Sequence, residues 1–259
     1  MAFLTDIPTD ITPAVKRSPF WAKTYGGYTR EQLDFFLKNL GTVDGKRICD
    51  PMSGQAFSTC QMAWSGADVQ LFDIMVGPLA LASLRDPVVL QNATAFASDI
   101  FRTLRRLRPS RQRKIVREHF PDWVSPQIAH ELQQAADGFK IDQKQSPFAP
   151  ESQYWHDFSC GRLVFGLLAL AARSITCYQT SDNSTWLKKG GITPGISVLQ
   201  ALEEALHAWL TFAQQAQMLI KHSGRVRIDT WNCETGIIPH TKESMDVVLV
   251  SPPYANRLD

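Results

Sequence analysis

Residues 46–57 read KRICDPMSGQAF, and this stretch decides the fold. A short strand around Arg47–Cys49 runs into a carboxylate, Asp50. A loop of small residues follows, Pro51 to Ala56, and then a helix from about Ser58 to Ser65 that Gly66 stops. A second apolar run, VQLFDI, closes on Asp73, and Pro78 opens a further helical run, PLALASLRD. Strand, loop, helix and strand in quick succession form the βαβ unit of a parallel sheet. Gly54 and its small neighbours let backbone N–H groups approach a ligand closely. An ordinary strand-to-helix turn is the alternative reading. Asp73, 23 residues after Asp50, favours the ligand loop, because an acid at the end of the second strand is placed to accept hydrogen bonds from ribose hydroxyls.

Outward from this unit the pattern changes. Upstream lie a Pro-rich lead, SPFWAKTYGGY, and TREQLDFFLKNL, a helix capped by Thr29 with Leu33, Phe36, Leu37 and Leu40 on one face and Gly41 at its end. Downstream, residues 87–223 carry three long helical segments, IAHELQQAADGF, GRLVFGLLALAARSI and ISVLQALEEALHAWLTFAQQAQMLIKH, separated by the turn-rich KIDQKQSPFAPES and QTSDNSTWLKKGGITPG. Strand character returns in RVRI and DVVLV within 224–259. The expected organisation is an α/β fold: a sheet begun in residues 1–86, a large helical insertion over 87–223, and returning strands in 224–259. The strand Val247–Val250 is so apolar that it is expected to be central and covered on both faces.

The 259 residues are 44% hydrophobic, ample for a core. No run reaches the ~20 apolar residues of a membrane span. The best candidate, Leu163–Ala172, is broken by Gly166 and flanked by Arg162 and Arg173. The N-terminus lacks the cationic start and apolar core of a secretory signal, so a cytoplasmic protein is expected. Cys49, Cys60, Cys160, Cys177 and Cys233 include no C-x-x-C pair, and the six histidines are dispersed, so no metal site is expected. The charge is concentrated. Arg102, Arg105, Arg106, Arg108, Arg111, Arg113, Lys114 and Arg117 put +8 into residues 102–117, and the other 19 basic residues face 25 acidic ones. Such a segment suits a nucleic-acid backbone, since each neutralised phosphate releases a counterion; a solvated helix face is the alternative. Lys188 and Lys189 beside Trp186 are a second, weaker candidate for DNA contact.

Three motifs together resemble the amino-methyltransferases of DNA. Asp50-Pro51-Met52-Ser53-Gly54 is similar to the family's D-P-F-S-G-S-G loop, Phe72-Asp73-Ile74 with Gly77-Pro78-Leu79-Ala80 to its G-I-D-I-N-P-x-A, and Ser251-Pro252-Pro253-Tyr254 to its catalytic [DNS]-P-P-[YFW]. SPFWAKTYGG is a weaker match to the segment that covers the methionine end of the cofactor. The resemblance implies a Rossmann-like S-adenosylmethionine-dependent sheet and, from the Ser variant, methylation of the cytosine 4-amino group in double-stranded DNA, as in restriction-modification systems. Adenine N6, or RNA, is the alternative target. It implies cofactor contacts from Asp50, Pro51, Ser53, Gly54, Asp73 and Ile74, and from Asn232, with Asp229 as the other candidate for the adenine. DNA contacts are expected from Arg105, Arg106, Arg108, Arg111, Arg113 and Lys114.

The catalytic role implied for Ser251–Tyr254 has a physical basis. The target amine is a poor nucleophile, its lone pair delocalised into the ring. Two acceptors, in the family the Ser side chain and the first Pro carbonyl, hold its N–H bonds and aim that lone pair, which carries over to Ser251 and Pro252. Pro253 stiffens the loop, and Tyr254 stacks on a base rotated out of the duplex. Two departures stand out. Ala56 replaces the family's second glycine, adding a methyl where backbone is expected to meet cofactor. The strands that follow the S-P-P-Y motif in the family are missing, so the sheet is expected to be incomplete and completed by a C-terminal polypeptide or subunit. A truncated remnant that binds cofactor or DNA without turnover is the competing expectation.

Overall fold

The computed structural model describes Phe35 and residues 38–73, 76–107, 125–139, 160–175, 178–180, 187–189, 196–231 and 244–250. Strand β1 spans Arg47–Asp50, helix α1 Phe57–Ala63 and strand β2 Asp68–Asp73, so the βαβ unit forms where the apolar pattern predicts it. Helix α2, Val76–Ser83, follows β2. Asp86 then starts α3, Pro87–Gln91: its side chain accepts from the Val88 N–H while Pro87 takes the first helical position, where no N–H is needed. Helix α4 is Ala93–Leu104. Helix α5, Pro126–Gly138, starts the same way, with the Ser125 hydroxyl capping the Ile128 N–H. Helix α6, Cys160–Ile175, approaches α2 closely because of Gly166: a Cβ there would stand 2.6 Å from the Ala80 carbonyl oxygen.

Strands β3, Tyr178–Thr180, and β4, Leu187–Lys189, pair antiparallel in a small separate ribbon. Two short strands thus form at and within the stretch QTSDNSTWLKKGGITPG that reads as turn-rich, where Tyr178 and Thr180 are strand formers close in sequence to their partners. Helix α7, Val198–Gln217, begins at a Ser197 cap; β5 spans Arg225–Thr230 and β6 Val247–Val248.

The main sheet has four parallel strands in the order β5-β2-β1-β6. From β1 the chain steps outward through β2 to β5, and β6 then lands on the other side of β1. The order therefore reverses between β1 and β6, and in open α/β sheets the crevice at the carboxyl ends of the strands beside such a reversal is the usual place for a ligand. Pairing of Ile48 with Val247 and Cys49 with Val248 brings the chain leaving β1 and the chain leaving β6 out at the same edge.

The expectation of a central strand over Val247–Val250, covered on both faces, is corrected. Strand β6 is two residues long and lies at the edge of the described sheet, with Val248 59% and Val250 44% exposed while Leu249 is buried. Alternation explains the split. Ile48, Val69, Leu71, Val226, Ile228 and Leu249 share one face of the sheet and pack with Cys60 and Ala63 of α1 and Leu79 and Ala82 of α2. Val248 sits beside Cys49 on the opposite face, with Arg227 also exposed there, and among the described residues no strand flanks β6 on the side away from β1.

A second apolar core lies among the helices, built from α3 to α7 together with Trp64 and Leu84. The two cores meet at Leu84–Arg85: the Trp64 indole N–H donates to the Arg85 carbonyl at 2.8 Å and the Trp209 indole N–H to that of Leu84 at 2.9 Å. Among the described residues no helix is long and apolar enough to cross a membrane.

Candidate functional site

The loop leaving β1 curls over the end of β2. The Ser53 N–H donates to the Phe72 carbonyl at 2.9 Å, the Ala56 N–H to the Ser53 carbonyl at 2.7 Å, and the Gly54 N–H to Asp73 Oδ2 at 2.8 Å. Two residues of the loop take left-handed backbone, Gly54 at φ 51° and Ala56 at φ 50°. Glycine suits the first. A Cβ built on Gly54 would meet no atom within 4 Å, so the outer face of the loop is open there. Ala56, whose methyl the resemblance sets against a cofactor, is 4% exposed and packs in the core of the sheet, and the cost visible there is backbone strain.

Asp50 is 5% exposed at the tip of β1. The Thr59 hydroxyl, one turn into α1, donates to its Oδ2. Its Oδ1 is buried without a hydrogen-bond partner among the described residues, and so is the Ser53 hydroxyl. Burial pushes the Asp50 carboxyl up to about 6; the Thr59 hydroxyl and the neighbouring Met52 N–H oppose this, and the charge of Asp73 adds to it. Two buried oxygens without partners among the described residues, within one four-residue stretch, are uncommon in a native fold and leave room for a further hydrogen-bond donor. Pro51 is half-buried on the same loop.

Asp73 ends β2 as predicted, but one of its oxygens holds the Gly54 N–H, so its first task is to shape the loop. Trp231 extends the site: its backbone N–H donates to the Asp73 carbonyl at 3.1 Å and its ring meets that of Phe72 edge-on at 6.0 Å between centroids. Asp229 lies in β5, where its Oδ2 accepts from Gln70 Nε2 at 3.4 Å. Ile74 and Asn232 lie outside the described residues.

On the β6 side, Asp246 clamps the strand to β1. Its carboxylate takes the Arg47 N–H at 2.8 Å and the guanidinium at 3.0 and 3.2 Å, and its own N–H donates to the Arg47 carbonyl at 2.9 Å. The Arg47 side chain and backbone draw the Asp246 carboxyl down to about 2. The Leu249 N–H donates to the Cys49 carbonyl at 2.8 Å, carrying the pairing to the residue before Asp50. Ser251, Pro252, Pro253 and Tyr254 follow directly and lie outside the described residues, as does the segment SPFWAKTYGG.

The basic segment is described only at its start. Arg102 pairs with Asp99 at 3.0 Å, and Arg105 and Arg106 are exposed just past the end of α4, where cations suit the helix terminus. Arg108, Arg111, Arg113 and Lys114 lie outside the described residues, as does Trp186, whereas Lys188 and Lys189 belong to β4. Among the described residues no cluster of His, Cys, Asp or Glu is arranged to hold a metal ion.

Sequence reading missed Thr59, Trp231 and Asp246. Thr59 lies three residues past Ala56, the signal of a hydroxyl turned back toward the strand end. Asp246, immediately before VVLV, carries no signal in isolation, because its partner is 199 residues away. Comparison with known proteins finds no family model, no curated protein and no solved structure that matches this chain, so the site is read from its own geometry.

Proposed function

We propose that this chain binds S-adenosylmethionine at the loop after β1 and belongs to a Rossmann-like DNA methyltransferase that acts on an exocyclic amine, with the 4-amino group of cytosine favoured. The observation that carries the reading is the pair of buried oxygens without partners, Asp50 Oδ1 and Ser53 Oγ, at the carboxyl edge where strand order reverses. The donor set fits. The ammonium group of the cofactor's amino-acid end suits Asp50, which ionises readily once a cation lies against it. The open face at Gly54 admits a ligand against backbone, and Asp73 supplies an acid at the next strand end.

When bound, S-adenosylmethionine supplies a methyl group on a positively charged sulfur. The chain's own contribution is placement. By the resemblance, the Ser251 side chain and the Pro252 carbonyl accept the two N–H bonds of the target amine, Pro253 stiffens the turn, and Tyr254 stacks on the base. The β1–β6 pairing supports this division of labour, because both loops leave the same edge from neighbouring strands. Asn232 remains the proposed adenine contact, and the basic run that begins at Arg105 and Arg106 the proposed phosphate contact. A further strand supplied by a second polypeptide completes the reading: Val248 is exposed on a strand that has only β1 as a neighbour among the described residues, and such edges invite pairing.

Calorimetric titration of the chain with S-adenosylmethionine tests the cofactor assignment, and absence of binding refutes it. Incubation with DNA and labelled cofactor, with and without the product of the adjacent reading frame, followed by identification of the modified base, tests the rest. Label in N4-methylcytosine is the expected result, and label in N6-methyladenine would move the target. Ser251→Ala is expected to remove most transfer while leaving cofactor affinity within twofold; equal loss of both would contradict its role.

A further inference from the structure

Arg85 lies in the short link between α2 and α3 and is 2% exposed. Burial pushes its guanidinium down to about 10, so the cation sits there against a large desolvation cost, and an apolar side chain would fill the space without it. What it touches suggests why it is kept. Its Nη1 donates to the Gln55 carbonyl at 2.6 Å, and its guanidinium carbon stands 5.3 Å from the centroid of the Phe57 ring. Gln55 lies between Gly54 and Ala56, the two left-handed residues of the loop. A non-glycine residue in that region persists only where its surroundings over-determine it. The base of the clamp is itself fixed, since Trp64 and Trp209 hold the carbonyls of Arg85 and Leu84.

We propose that Arg85 is the positioning residue of the ligand loop: from the core side it grips the Gln55 carbonyl and the Phe57 face, and so holds Ser53 and Gly54 in the shape that meets a ligand. The identity of that ligand rests on the function proposed above; the positioning does not. Arg85 touches neither substrate nor reacting atoms, so its effect is on affinity and loop order.

The test uses the whole chain and two readouts, hydrogen exchange of the Ser53, Gly54 and Ala56 amides and calorimetric affinity for S-adenosylhomocysteine. The variants are Arg85→Met, Arg85→Lys, Phe57→Leu and, as a comparator that only loosens the helical core, Leu202→Ala. Arg85→Met and Phe57→Leu are expected to speed loop exchange at least tenfold relative to the β2 amides and to weaken binding at least tenfold. Arg85→Lys, which keeps charge and one donor but not the planar face, is expected to fall between. Leu202→Ala is expected to lower the melting temperature with both readouts within twofold of wild type. If Arg85→Met does not fold, Arg85→Lys and Phe57→Leu decide. Loop exchange no faster in the Arg85 and Phe57 variants than in Leu202→Ala overturns the proposal, and so does unchanged affinity in variants of a wild type that binds. If the wild type does not bind while its loop still responds to Arg85, positioning stands and the cofactor assignment fails.

Discussion

Asp50 sets the pH behaviour of the site. Its carboxyl is raised from 3.8 to about 6, first by burial, so the folded chain binds more protons than the unfolded one across that interval. Stability therefore falls as pH rises from about 4 to about 6 and stays lowered above, by at most about 3 kcal/mol for a shift of this size. Asp50→Asn, which cannot ionise, is expected to flatten that fall in urea midpoints taken from pH 4 to 7; parallel curves for the two proteins would contradict it. On the proposed cofactor assignment, a cation would favour the ionised form, so wild-type affinity for S-adenosylmethionine is expected to rise from pH 5 to 7 and the variant's to stay flat. Gly54→Ala separates backbone from ligand effects. The left-handed backbone costs an alanine about 1–2 kcal/mol, with no clash, since a Cβ meets nothing within 4 Å. A larger proportional loss of affinity than of stability is expected, because the new methyl stands on the open face of the loop.

At the level of elements, β6 is too short to hold its own register, and Asp246 holds it instead. The Asp246 carboxyl is drawn down to about 2, so its contribution is present above the ordinary carboxylate value near pH 4 and is lost as pH falls through about 2. Asp246→Asn is expected to speed exchange of the Leu249 amide, which bonds to the Cys49 carbonyl, without changing exchange in the β1–β2 pair. Equal acceleration in both would mean that Asp246 supports the whole sheet and not the β6 register. The βαβ unit was legible because it is built from adjacent residues: an apolar run, small loop residues and a helical run. The exposure of Val248 was not, because an apolar strand reads alike whether one or both of its faces are covered.

In the whole molecule, two cores are joined at the carbonyls of Leu84 and Arg85. Trp209→Phe keeps the ring and removes the donor to Leu84, leaving a buried acceptor unsatisfied. A loss of about 1–3 kcal/mol in chemical denaturation is expected. A loss under a few tenths of a kcal/mol would show that the seam relaxes around the missing bond.

Local pattern alone determined the α/β class, the parallel βαβ unit, the long helices between β2 and β5 and the loop of small residues around Gly54 between two strand-end acids, Asp50 and Asp73, since propensity, caps and periodicity act within a few turns of chain. Strand order came from tertiary structure: β5 pairs with β2 and β6 with β1 across more than a hundred residues, and nothing local encodes which neighbour a returning strand finds. The same holds for Arg85. In sequence it is one more cation at the end of a helical run, and only packing of two cores around it places its charge beneath the loop.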